Sequence, residues 1–137
     1  MESVIERATE QDLIWLCRQL PYNPTSGLRG VAHRRGGQLL AVVAYDNWTD
    51  NSVFMHVWSV GPRAWTRLFL QEVFRYAFDI AGRGVAIAVT QGDNAATIEF
   101  CRRVGFKESH RIKDGWKLGT DLVIQEMRRN ECRWLRR

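Results

Sequence analysis

The feature that most constrains this chain is the uncharged apolar run Val85-Ala86-Ile87-Ala88-Val89-Thr90. A continuous run of this kind reads as an interior strand, buried on both faces. Its flanks supply the cover. From Arg63 to Ile80, Trp65, Leu68, Phe69, Val73, Tyr76, Ala77 and Ile80 form one broad apolar face, and Leu70, Phe74 and Phe78 add apolar groups elsewhere. The spacing predicts a helix over 63–80, buried on much of its circumference and ended by Gly82 and Gly84. After the strand, Asp93 or Asn94 is expected to cap a helix running to about Val104 and stopped by Gly105. Ile98 and Phe100 supply its apolar groups, and Arg102 and Arg103 suit its negative end.

The N-terminal half reads as a strand (Val4 to Ala8), then a helix from Gln11 to Leu20 with Thr9 as N-cap and Asp12 in its first turn. Leu13, Leu16 and Leu20 fall at helical spacing, and Pro21 stops the helix. The segment Pro21 to Gly30 is a loop. Leu28 to His33, Gln38 to Tyr45 and Ser52 to Val60 read as strands of an antiparallel meander, with polar turns at 34–37 and 46–51. Lys107 to Ile112 and Asp121 to Met127 form two more strands, joined by a loop over 113–120. The expected fold class is α+β, with a mixed, mostly antiparallel sheet of six to seven strands and helices on both faces.

The 137 residues fit one domain with one core. No apolar run reaches the roughly 18 to 20 residues of a membrane span, and the N-terminus lacks an apolar targeting segment, so a cytoplasmic protein without a membrane partner is expected. Cys17, Cys101 and Cys132 are odd in number and far apart, which predicts reduced thiols and no metal site. The net charge of +5 is concentrated at the C-terminus, in Arg128, Arg129, Arg133, Arg136 and Arg137. Such a tail over about 128–137 attracts anionic partners, nucleic acid included, or is a solvated end. No nucleic-acid-binding motif accompanies it.

Three segments, in order, resemble the GNAT superfamily of acyltransferases. Ile5-Glu6-Arg7-Ala8-Thr9-Glu10-Gln11-Asp12 resembles the family's first strand and helix start. The stretch from Asn94 through Cys101 to Gly105-Phe106 resembles its late helix, where the family shows Asn, an apolar residue, usually Tyr, then Gly-Phe. Lys107 to Met127, with Arg111-Ile112-Lys113-Asp114-Gly115-Trp116, resembles the closing hairpin of the ribosomal-protein and polyamine acetyltransferase branch. The resemblance implies direct transfer of an acetyl group from acetyl-CoA to an amine acceptor, either a small molecule or a protein terminus, by a monomer or homodimer.

It also implies a site. The family's pyrophosphate loop aligns with Gly61-Pro62-Arg63-Ala64-Trp65-Thr66-Arg67. Ala64 and Thr66 are compatible with a close approach of phosphate to backbone N–H groups at a helix start. Arg63 and Arg67 offer charge-assisted bonds, and Trp65 is expected to point away from the cofactor. The alternative is that Gly61-Pro62 only turns the chain into the helix. Val57, Trp58, Ser59 and Val60 would give pantetheine a strand edge, one N–H polarising the thioester carbonyl. His56 is the candidate general base, or a satisfied strand histidine. Cys101 stands where many members have a Tyr general acid, and a thiol can donate there or pack as a small hydrophobe. Asn94 contacts the cofactor or only caps its helix. Asp46, Asp50 and Asp114 are expected on loops, free to meet a cationic acceptor or simply solvated. The short 21–30 connection predicts an open acceptor site, suited to a macromolecular end or a large amine. Two other readings are a GNAT-fold binding or structural protein without catalysis, of the kind found in tailed-phage genomes, and a nucleic-acid-associated modification module.

Overall fold

A computed structural model describes residues 2–20 and 25–135. The chain opens with β1 (Ser3–Arg7) and α1 (Glu10–Gln19). Thr9 caps α1 reciprocally: its Oγ1 accepts from Asp12 N at 3.1 Å, while Thr9 N donates to Asp12 Oδ2 at 2.8 Å. Arg34 also donates to that carboxylate and ties the helix start to the sheet. Burial pushes the Asp12 carboxyl up, but the bonds from Arg34 and Thr9 outweigh it and hold it below the usual range. Of the predicted loop, Pro21 to Pro24 lie outside the described residues.

The meander follows as β2 (Arg29–Arg35), β3 (Gln38–Asp46) and β4 (Ser52–Ser59), all antiparallel. The helix predicted over 63–80 is divided. Pro62–Ala64 form one 3₁₀ turn, Trp65 breaks it, and Thr66 caps α2 (Arg67–Phe74) by accepting from Phe69 N at 3.2 Å. A π-helical stretch, Arg75–Ile80, continues α2 and keeps Tyr76, Ala77 and Phe78 all buried. Next come β5 (Val85–Gln91), α3 (Ala95–Val104) and the hairpin β6 (Lys107–Lys117) and β7 (Thr120–Arg128). The predicted 113–120 loop is mostly strand. A register shift between Ile112 and Lys117, with Asp114 at φ 57°, absorbs the turn-like residues and leaves only 118–119 as the tip.

The seven strands form one sheet in the order β1-β2-β3-β4-β5-β7-β6. Leu16 of α1 packs on Val42 and Ala44 on one face. Phe69, Val73 and Phe74 of α2 pack with Val43, Val53, Met55 and Ala86 on the other. The α+β class and the helices on both faces therefore stand as expected.

The described part of the basic tail is docked, contrary to a solvated end. Cys132 is buried in the core, and Trp134 Nε1 donates to Val104 O at 2.8 Å. Arg129 bonds Asp79 and Phe78 O, and Arg133 bonds Arg103 O. Arg136 and Arg137 lie outside the described residues. Among the described residues, no cysteine forms a disulfide, no cluster could hold a metal, and no helix is long and apolar enough to cross a membrane.

Candidate active site

The site begins with a mismatch between two parallel strands. β4 and β5 are paired only over Ser52↔Val85, Val53↔Ala86 and Phe54↔Ile87. Beyond that point they diverge, because β4 stays paired with β3 from Phe54 to Ser59 and β5 with β7 over its full length. The divergence leaves the β4 edge from Met55 to Ser59 without a strand neighbour. Val60 N donates to Leu40 O at 2.8 Å, so alternation turns the N–H groups of Trp58 and His56 toward β3 and those of Met55, Val57 and Ser59 into the split.

A cavity of about 150 Å³ lies at the split and is lined by residues from both faces of the sheet. On the α2 and α3 side its wall includes Trp65, Phe100, Cys101 and Asn94. On the α1 side it meets Leu20, His56, Val89 and Gln91, with Trp116 of the hairpin at its border. Strand alternation explains the division: Val53, Met55 and Val57 join the α2-side core, whereas Trp58, and hence His56, face α1.

His56 is not an isolated ring. Its Nε2–H donates to Asp46 Oδ1 at 2.7 Å. Asp46 is not a loop acid, because β3 runs one residue further than its apolar pattern and buries the side chain completely. Its carboxylate also accepts from Thr25 Oγ1 at 3.0 Å and Asn47 Nδ2 at 3.2 Å, so its lone pairs are committed within the fold. Because a carboxylate only accepts, this bond places a proton on Nε2. Asp50 is an exposed bend residue, whereas Asp114, expected on a loop, lies exposed within β6 and accepts from Gly119 N at 2.9 Å.

The loop before α2 differs from expectation in two places. Ala64 is buried, with its methyl in the core. Its N–H donates to Gly61 O at 3.2 Å, and its carbonyl accepts from His33 Nδ1 at 2.8 Å, so its backbone is spent internally. A substitution such as Ala64→Asp would therefore bury a carboxylate and disturb the fold, rather than test cofactor contact alone. Trp65 does not point away. Its ring lies 4.8 Å from Phe100 and 5.4 Å from Phe69, and its Nε1 donates to Ser59 Oγ at 3.0 Å. The indole finds an apolar slot and one polar partner only on the cavity wall.

Thr66 spends its hydroxyl as N-cap, leaving the N–H groups of Arg67 and Leu68 at the start of α2 without helical partners. Arg63, Thr66 and Arg67 are exposed beside them. Asn94 caps α3, its Oδ1 accepting from Thr97 N at 3.2 Å, and the residue lines the cavity. Cys101 is buried on the same wall, and burial pushes its thiol up to about 11.

The structure thus gathers His56, Val57, Trp65, Asn94 and Cys101 around one cavity. Ser59 reaches it through the Trp65 bond. Trp58 packs edge-on to Trp15 with ring centroids 5.8 Å apart, and Val60 is half exposed with its N–H bound to β3, so neither side chain enters the cavity. Sequence reasoning missed Asp46 as the partner of His56 and missed His33 as the brace of the 62–64 turn. A histidine inside the buried run Val31-Ala32-His33 was the available signal for the brace.

No protein-family model matches the sequence, and no curated protein matches it. Solved structures do match in three dimensions. A mutant form of the spermidine/spermine N-acetyltransferase SpeG from Vibrio cholerae superposes with a TM-score of 0.74 at 12% identity, covering 94% of this chain and 96% of that one. A structure assigned to the acetyltransferases of the GNAT family, from Desulfovibrio desulfuricans, gives 0.72 at 18% identity, covering 93% and 99%. One assigned as a phosphinothricin N-acetyltransferase gives 0.70 at 15% identity, covering 93% and 98%. Agreement over nearly the whole of each chain shows that this chain has the fold of the GNAT acetyltransferases.

Proposed function

We propose that the protein transfers an acetyl group from acetyl-CoA directly to an amine. The observation that carries this reading is the cavity at the split, with a base on one face and an open strand edge beside it. Fold alone would not carry it.

The residues fit the donor. The inward N–H groups of Val57 and Ser59 offer an extended amide chain the bonds of a missing strand. The start of α2, with Arg63 and Arg67, offers N–H groups and positive charge to a pyrophosphate. When bound, acetyl-CoA supplies an activated thioester. Everything else falls to the protein. The edge N–H groups of β4 hydrogen-bond a carbonyl oxygen and stabilise negative charge that develops there. His56 takes the proton that the attacking amine sheds, and the Asp46 carboxylate bonded to Nε2 stabilises the resulting imidazolium. The cavity walls hold the two reactants together and exclude water. In this proposal Cys101 is a wall residue: a thiol pushed up to about 11 is a weaker acid than a free thiol, so it gains little by protonating a departing thiolate. The proposed setting is the cytoplasm.

One observation favours a second reading, a GNAT-fold binding protein without catalysis. The Trp65–Phe100 contact narrows the cleft from the α3 side. Incubation of the pure protein with acetyl-CoA and a panel of amines, with release of the CoA thiol followed, decides between the two. Amine-dependent release supports the transferase. Binding of acetyl-CoA without release for any amine supports the scaffold.

A further inference from the structure

The charge of the cavity bears on the acceptor. His56 and Cys101 are the only titratable side chains on its wall among the described residues, and no Asp or Glu lines it. The one carboxylate close behind the wall, Asp46, is fully buried and already bonded to His56, Thr25 and Asn47. The α1-side wall is otherwise apolar or neutral: Leu20, Val89, Gln91 and Trp116.

An amine entering as an ammonium can lose its proton to the His56–Asp46 pair. A second ammonium on the same molecule has no such recourse. Inside the cavity it would be desolvated with no counter-charge, which is strongly unfavourable. Outside, it would meet a chain of net charge +5. An apolar or aromatic body meets the opposite situation, because Leu20, Val89 and Trp116 offer it a surface that gains by being covered.

Resting on the transferase reading above, we infer that the acceptor is a single amine on an uncharged, apolar body, and that polyamines are poor substrates despite the shared fold with spermidine N-acetyltransferases.

The test uses the full chain and three probes: phenethylamine, spermidine and a short peptide with a free N-terminus. Calorimetric titration of acetyl-CoA comes first, and absence of binding would overturn the transferase reading itself. With that binding in hand, phenethylamine is expected to exceed both spermidine and the peptide in kcat/KM by roughly tenfold or more. It should also bind the CoA-loaded protein in a titration where spermidine gives no heat. Preference for spermidine or for the peptide, or no turnover of any probe by protein that binds acetyl-CoA, overturns the inference while leaving cofactor binding intact. A second variant tests the cause. Gln91→Glu adds one carboxylate to the wall and should raise spermidine over phenethylamine by roughly tenfold. An unchanged ratio in protein with an unaltered melting profile would show that cavity charge does not set the choice, and would also overturn it.

Discussion

Asp46→Asn isolates the charge behind His56. The amide keeps the size of the carboxylate and can still accept from Nε2–H, but the bond is no longer charge-assisted. A hydrogen bond to a charged group contributes about 1.5–3 kcal/mol and a neutral one about 1 kcal/mol, so the loss is about 0.5–2 kcal/mol. That loss falls on the state in which His56 carries a proton, and at about 1.4 kcal/mol per tenfold kcat should drop roughly 2- to 30-fold. The same bond exists before any reaction, at 2.7 Å and fully buried on the Asp46 side, so stability falls too. The melting temperature should drop by roughly 2 to 8 °C in a domain of this size. Thiol release at saturating acetyl-CoA and amine measures kcat, and thermal unfolding measures stability. The acetyl-CoA dissociation constant should stay within about twofold, because Asp46 lies on the α1 face. Asp46→Asn with unchanged kcat would refute the assignment of His56 as base, and a loss confined to cofactor affinity would place Asp46 on the wrong ligand.

Other consequences follow from particular groups. Arg63→Glu with Arg67→Glu reverses the charge at the start of α2 on exposed side chains. Acetyl-CoA affinity should fall roughly 10- to 100-fold with little change in melting, read by calorimetry. Cys101, with its thiol raised by burial from 9.0 to about 11, contributes stability that is fully present below pH 9 and is lost as pH rises toward 11. Cys101→Ala should remove that alkaline dependence in denaturant unfolding, and the wild-type thiol should resist iodoacetamide at pH 8. Asp12 is held below its ordinary 3.8, so its stabilisation is present above that pH and disappears as pH falls through the lower folded value. Asp12→Asn should therefore cost about 1–2 kcal/mol at pH 7 and progressively less as pH falls below 3.8 through the lowered folded value, measured by urea unfolding.

The strands and helices were legible wherever local chemistry agreed with burial. The capping box of Thr9 and Asp12, the apolar run of β5 and the Asn94 cap all act within a few residues, and the folded chain keeps them. The helix start before α2 was misread because Arg63 to Leu70 continues the apolar spacing. The Thr66 cap sets the true start, and its signal was present in the sequence. Asp46 shows what local reading cannot reach. An Asp followed by Asn and Trp looks like a turn, and only the diagonal approach of His56 across β3 and β4, with Thr25 from a distant loop, makes burial of its carboxylate tolerable. Trp65 fails for the same reason: the slot between Phe69 and Phe100 exists only after α2 and α3 have packed. The candidate base was visible as a residue type on a strand. Its partner and the cavity at the split depended on contacts far apart in sequence.

The most direct test of this account is calorimetric titration of acetyl-CoA into the full-length protein, repeated with the Arg63→Glu, Arg67→Glu variant. Binding near one to one, weakened in the variant while the fold melts as before, is the predicted result. No heat and no change in tryptophan fluorescence at millimolar acetyl-CoA would contradict it, leaving the fold without the transferase.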